Sequence, residues 1–264
     1  MKWCIAAIAA ACLAGSGAAE ETRQQRGKRV VDEALKALGG EAFLRMEDRV
    51  ESGRAYSFYR QELTGLSIAK IYTRYLAPVP GELAVRERET FGKDESSAVL
   101  LTEKQGWEIT FRGARPLDDE RFARYHDSTL RNILYILRQR LNEPGMTFYS
   151  QGTDFWENRP VEVVDITDAA NATVTVYFDQ LSKFPVRQVY RRRNSEYKDF
   201  DTEVSVFAKY RDVGGGVMWP CTLVRERNKQ KIFEMYSDSV EINKNLTDDL
   251  FTLPSGMKIL KTVK

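Results

Sequence analysis

Thr173-Val-Thr-Val-Tyr-Phe-Asp179 and Val186-Arg-Gln-Val-Tyr-Arg-Arg-Arg193, joined by Gln180-Leu-Ser-Lys-Phe-Pro185, read as a strand, an Asp-containing turn, a proline and a second strand. Two strand-length runs this close together pair as an antiparallel hairpin, since a parallel crossover needs a dozen or more residues. Outward from this hairpin the same pattern repeats. Strand-like runs precede it at about 147–156 and 160–166, and follow it at about 203–210, 217–227 and 231–242. Turn residues separate them, most clearly Ala169-Ala170-Asn171, Gly214-Gly215-Gly216 and Asn228-Lys229. The triple glycine has neither a following Lys-Ser or Lys-Thr nor a following helix, so it is a turn and not a phosphate cradle.

The first half of the chain behaves alike. From Arg49 the period is two, with Tyr56, Phe58 and Arg60 opposite Ala55, Ser57 and Tyr59, and further strands are expected at about 66–76, 81–90, 98–102 and 106–112. Strands in unbroken succession, with no helix between them, imply antiparallel pairing. Two helices punctuate the series. Val30, Val31, Ala34, Leu35 and Leu38 recur at helical steps before Gly39-Gly40, and Leu130, Ile133, Leu134, Leu137 and Leu141 mark one face of a helix expected over 118–142. About a dozen strands, two principal helices and no composition break predict one mainly β (α+β) domain over 20–264.

Residues 1–19 read as a secretory signal peptide: Lys2, an apolar run from Trp3 to Leu13, and Gly17-Ala18-Ala19 before Glu20. The apolar run is too short to span a bilayer. Ala9-Ala10-Ala11 before Cys12 lacks the large aliphatic residue that lipidation sites prefer. Export into the periplasm with cleavage near Ala19 is therefore expected. Cys4 and Cys12 leave with the leader, which leaves Cys221 in an apolar strand as a buried, inert thiol.

The inventory of reactive residues is thin. There is one His, His126, and no Gly-x-Ser-x-Gly elbow, so nucleophilic hydrolysis lacks its usual base. One His and one remaining Cys do not make a zinc site, and neither metal nor cofactor is expected. A net charge of +2 from 40 basic and 38 acidic residues gives no field for nucleic acid. Arg191-Arg192-Arg193 lies on a strand that sends alternate side chains to opposite faces. Asn171-Ala172-Thr173 matches the short glycosylation pattern. The chain is expected not to be an enzyme.

The 174–190 hairpin, and the closing Asn245-Leu-Thr-Asp-Asp-Leu-Phe-Thr-Leu-Pro-Ser-Gly256, resemble the LolA-like superfamily of periplasmic lipoprotein carriers, which includes RseB-type sensors and related lipid-binding proteins. The order of leader, N-terminal helix, meander, interrupting helix and second strand run resembles it too. The resemblance implies a curved antiparallel sheet forming an unclosed half-barrel, with helices covering the concave face. It also implies a monomeric binder of lipid or lipoprotein acyl chains that meets a membrane-bound donor or acceptor protein. An RseB-like sensor or protein scaffold is the alternative.

Acyl binding needs apolar lining and no catalytic group, because burial of methylenes at about 0.8 kcal/mol each drives it. Trp107, Ile109 and Phe111 alternate on one face of the strand leading into the long helix. With the helix stripe Leu130, Ile133, Leu134 and Leu137, and with Tyr56 and Phe58 from the first strand, they form the expected lipid-binding set.

Overall fold

In the computed structural model, which describes residues 21–194 and 196–261, the chain forms one antiparallel sheet of thirteen strands. The expected leader, residues 1–19, lies outside the described residues. Strands β1 (Asp48–Tyr59), β2 (Glu62–Tyr75), β3 (Val85–Phe91), β4 (Ser97–Leu101), β5 (Gly106–Thr110) and β6 (Gly113–Pro116) pair each with the next. The chain then crosses to the far edge. It returns through β7 (Thr147–Trp156), β8 (Arg159–Thr167), β9 (Thr173–Asp179), β10 (Pro185–Arg193), β11 (Phe200–Asp212), β12 (Met218–Arg227) and β13 (Gln230–Ile242). Strands β13 and β1 pair from Arg49↔Ile242 to Ser57↔Phe233, which fuses the two meanders at the centre. The edge strands β6 and β7 do not pair, so the sheet is an unclosed half-barrel with few helices.

This topology explains where the helices lie. One covalent segment, 117–146, links edge β6 to edge β7, and over a curved sheet it crosses the concave side. The sequence predicts a single helix there, and the structure breaks it. Helix α3 (Asp119–Leu130) stops at Arg131, and Asn132, in extended backbone, caps a new short helix α4 (Ile133–Tyr135) by accepting from the Leu134 N–H at 2.9 Å. A π-helical turn, Ile136–Arg140, completes the crossing. Between the strand expected at about 106–112 and the crossing helix the chain forms a further short strand, β6.

Helix α1 (Arg23–Ala37) begins with a Thr22–Gln25 capping box and lays Val30, Val31 and Ala34 into the main core, next to the short helix α2 (Glu41–Leu44) with its buried Phe43. It approaches β7 so closely that a Cβ on Gly27 would sit 2.6 Å from the Phe148 carbonyl oxygen, a contact only glycine permits. Ile133, Ile136 and Leu137 enter the same core against Val164, Val176, Phe178 and Phe207. Side-chain hydrogen bonds pin the turn in place: Gln139 Nε2 donates to the carbonyls of Leu76 (2.9 Å) and Ala84 (2.8 Å), and Arg140 pairs with Glu143 and Asp168.

Helix α3 is held differently. Of its residues Leu130 alone is buried, and its ties to the sheet are ionic: Arg124 to Glu203 at 3.0 Å, and Glu120 and Asp127 to Arg192 at 2.7 and 3.1 Å. As the alternation predicts, Arg192 faces inward while Arg191 and Arg193 are exposed.

The 174–190 hairpin is organised by its aspartate. Asp179 Oδ1 accepts from the Leu181 N–H, the Ser182 N–H and the Ser182 hydroxyl at 2.7–3.0 Å. The closing segment straps the convex face of β3–β5. A 3₁₀ turn, Asp248–Phe251, seats Phe251 against Ala98, Leu100, Ile109 and Ala114. Beyond it, Lys258 and Leu260 hydrogen-bond Ala114 of β6 and so cover that sheet edge.

Candidate functional site

Cross-strand pairing sorts the inward side chains into rows that run from the buried end of the concave face to the hairpin end. The innermost row holds Tyr75 and Val85, the next holds Arg49, Thr73 and Glu87, and the one after it Glu51, Ile71 and Glu89. Gly53, Ala69 and Phe91 follow, then Ala55 with Met235 and Leu223, and last Ser57 with Phe233 and Arg225. Above these rows, between sheet and crossing segment, lies a cavity of about 530 Å³. That falls within the ~300–1,000 Å³ typical of small-ligand sites.

The cavity is roofed by Tyr125, Ser128 and Thr129 of α3 and by Leu134 and Tyr135 of α4, and Phe207 and Trp219 line it from β11 and β12. Its exposed lining residues, Ser57, Leu66 and Arg225, gather at one end, next to the β1–β2 and β12–β13 hairpins. That end is the mouth. The walls nearest it are apolar, from Ala55, Phe91, Leu223, Phe233 and Met235.

The inner end is polar and tightly wired. Arg49, only 7% exposed, stacks on the Trp219 ring at 4.0 Å, donates to Thr73 Oγ1 at 2.9 Å and sits 3.4 and 4.0 Å from the Glu51 and Glu87 carboxylates. Thr73 donates to Glu87 at 3.1 Å, and Ser237 donates to Glu51. Glu89 has none of this support. Among the described residues it accepts no hydrogen bond and has no cation within 4.0 Å; its strand neighbours are Ile71 and Val99. Enclosure by protein therefore pushes its carboxyl up to about 7, with repulsion from Glu87 adding and the more distant Arg225 opposing. The Tyr125 phenol is raised well above its usual value by burial and by the same two glutamates.

The expected site residues scatter. Leu134 lines the cavity. Leu130 packs beside it with Leu83, Val85 and Tyr135, and Ile133 and Leu137 are wholly buried in the main core. Tyr56 stands on the convex face, edge-on to Tyr236 at 5.8 Å, and Phe58 lies under Lys231, outside the lining. Trp107 and Ile109 do not meet the helix. Their partners Leu100 and Ala98 pair with Arg88 and Thr90, which face away from Glu87 and Glu89, so both belong to the convex cluster under the C-terminal strap. Phe111 falls past the end of β5 and is 88% exposed. The residues missed are Glu87 and Glu89. Arg86-Glu87-Arg88-Glu89 puts charge on both faces of a strand, and two carboxylates aimed at a concave face were the available signal.

Cys221 is buried and its thiol is raised by that burial. No group of three or more His, Cys, Asp or Glu is placed to hold a metal, and no helix is long and apolar enough to cross a membrane, both among the described residues.

The fold of this chain is shared with solved structures. A domain from Vibrio parahaemolyticus, provisionally named for outer membrane lipoprotein sorting, superposes with a TM-score of 0.58 over 87% of this chain and 97% of that one. The fold is LolA-like. A DUF1329 family protein from Desulfovibrio piger gives 0.59 over 88% and 98%, and a LolA superfamily protein from Nitrosomonas europaea gives 0.51 over 86% and 97%. Each is 11% identical to this chain, so the likeness is one of fold. No family model and no curated protein matches the sequence.

Proposed function

We propose that this protein is an exported, periplasmic, non-enzymatic binding or carrier protein that takes the hydrocarbon part of a lipid or lipoprotein into its LolA-like cavity. The observation that carries this reading is the 530 Å³ space left unfilled between sheet and crossing segment, with Ala55, Phe91, Leu223, Phe233 and Met235 on its walls. A core that existed only for stability would close such a volume, since voids forfeit packing contacts. The Vibrio domain, named for outer membrane lipoprotein sorting, agrees with it.

The roof supports reversible loading. The π-helical turn is anchored in the core, whereas α3 is tied down by half-buried ion pairs and is separated from it by the helix break at Arg131 and Asn132. Native mass spectrometry of the protein purified without detergent tests the proposal. Co-purifying amphiphiles, or stoichiometric uptake of a fluorescent fatty acid, are the expected result. A ligand-free protein that takes up no acyl probe refutes it.

A further inference from the structure

The two ends of the cavity differ in kind, and the difference fixes a direction for the ligand. Apolar walls lie toward the mouth, while the charged rows lie at the buried end. An amphiphile entering tail first would set methylenes against Arg49, Glu51, Glu87 and Glu89 and strip those groups of hydration without replacing it, which is costly for each charge. Entering head first, it places its polar group at the inner end and its chain along Phe91, Ala55, Met235 and Phe233 toward the mouth.

The charge balance of the lining then selects the head. Three carboxylates, Glu51, Glu87 and Glu89, face two guanidiniums, Arg49 and Arg225. Arg49 is shared between Glu51 and Glu87, and Arg225 stands at the mouth, stacked on Phe233 at 5.6 Å. Glu89 remains as a carboxylate without a partner. Resting on the carrier reading above, we infer that the cavity holds a free single-chain amphiphile with an ammonium head, bound head inward with its ammonium on Glu89. A lipoprotein acyl chain does not fit this arrangement, because its head is the protein itself and must stay outside the mouth. The enclosed setting of Glu89 agrees: a carboxyl that strains to shed its charge when empty gains most from a cation brought to it.

The test is isothermal titration of the full-length mature protein with dodecylamine, dodecanol and dodecanoate, chain-matched and below their micelle thresholds. The amine is expected to bind about tenfold or more tightly than the alcohol, the effect of one charge-assisted hydrogen bond, and dodecanoate weakest of the three. In Glu89→Gln the preference for the amine over the alcohol disappears. An amine no tighter than the alcohol in the native protein overturns the head-group inference and leaves the carrier reading standing. A preference for amine that survives in Glu89→Gln overturns the assignment to Glu89. Binding of none of the three removes the carrier reading and this inference together.

Discussion

Replacing Glu89 by Gln should stabilise the protein at neutral and mildly alkaline pH and do nothing in acid. The folded carboxyl titrates near 7 against an ordinary value of 4.5. Between those two pH values the folded chain keeps a proton at Glu89 that the unfolded chain has released. Stability from this residue therefore falls as pH rises through that window, and the loss is complete above it. At 1.36 kcal/mol per pH unit the difference between the two values amounts to about 3 kcal/mol. Burial sets it first, repulsion from Glu87 on the same strand adds to it, and Arg225 opposes.

Glutamine has the shape of the protonated acid and no charge, so the variant avoids the cost. At ~2–4 °C per kcal/mol for a chain of this size, Tm should rise by about 6–12 °C near pH 8 and by no more than about 2 °C near pH 4.5. Paired thermal melts of both proteins across that range isolate the effect, because titrating groups remote from Glu89 cancel in the difference. Equal shifts at the two ends, or a loss of stability near pH 8, would refute the reasoning by showing that Glu89 is ionised and partnered in the folded state.

Leu134→Trp projects bulk into the cavity and should leave Tm within a few degrees while weakening uptake of a fluorescent fatty acid severalfold. Ile109→Trp is the contrast, since it overpacks the convex cluster beneath Phe251 and should cost about 1–3 kcal/mol in denaturant unfolding with little direct effect on probe affinity. Asp179→Ala removes the acceptor for three donors in the β9–β10 turn and should cost about 0.5–2 kcal/mol, by analogy with the loss of a helix cap, with the same fold by circular dichroism.

Much of the architecture was legible because its signals are local. Period-two runs and turn residues gave the meander, and the Asp179 hairpin looks in the structure as its sequence reads. The break at Asn132 was hidden because its helical stripe continues unbroken through Leu130, Ile133, Leu134 and Leu137; the capping role of Asn132 appears only once Leu134 N–H turns toward it. The cavity was misplaced for a different reason. Alternation says that Trp107 and Ile109 share a face, but which face depends on a register passed through β4 and β3 back to β1, and on a C-terminal strap more than a hundred residues away. Glu87 and Glu89 were legible as charges and illegible as lining, since their inward direction is fixed by the same non-local parity.

The pairing of β1 with β13 joins residues as far apart as Arg49 and Ile242. The cavity straddles that seam: Glu51 and Glu89 come from the first meander, Leu223 and Met235 from the second. Neither meander alone holds the whole site, so occupancy and completion of the fold are linked equilibria. A ligand that binds only the finished sheet stabilises it by RT ln(1 + [L]/Kd), and so rewards the pairing of β1 with β13, a contact between the two ends of the described chain.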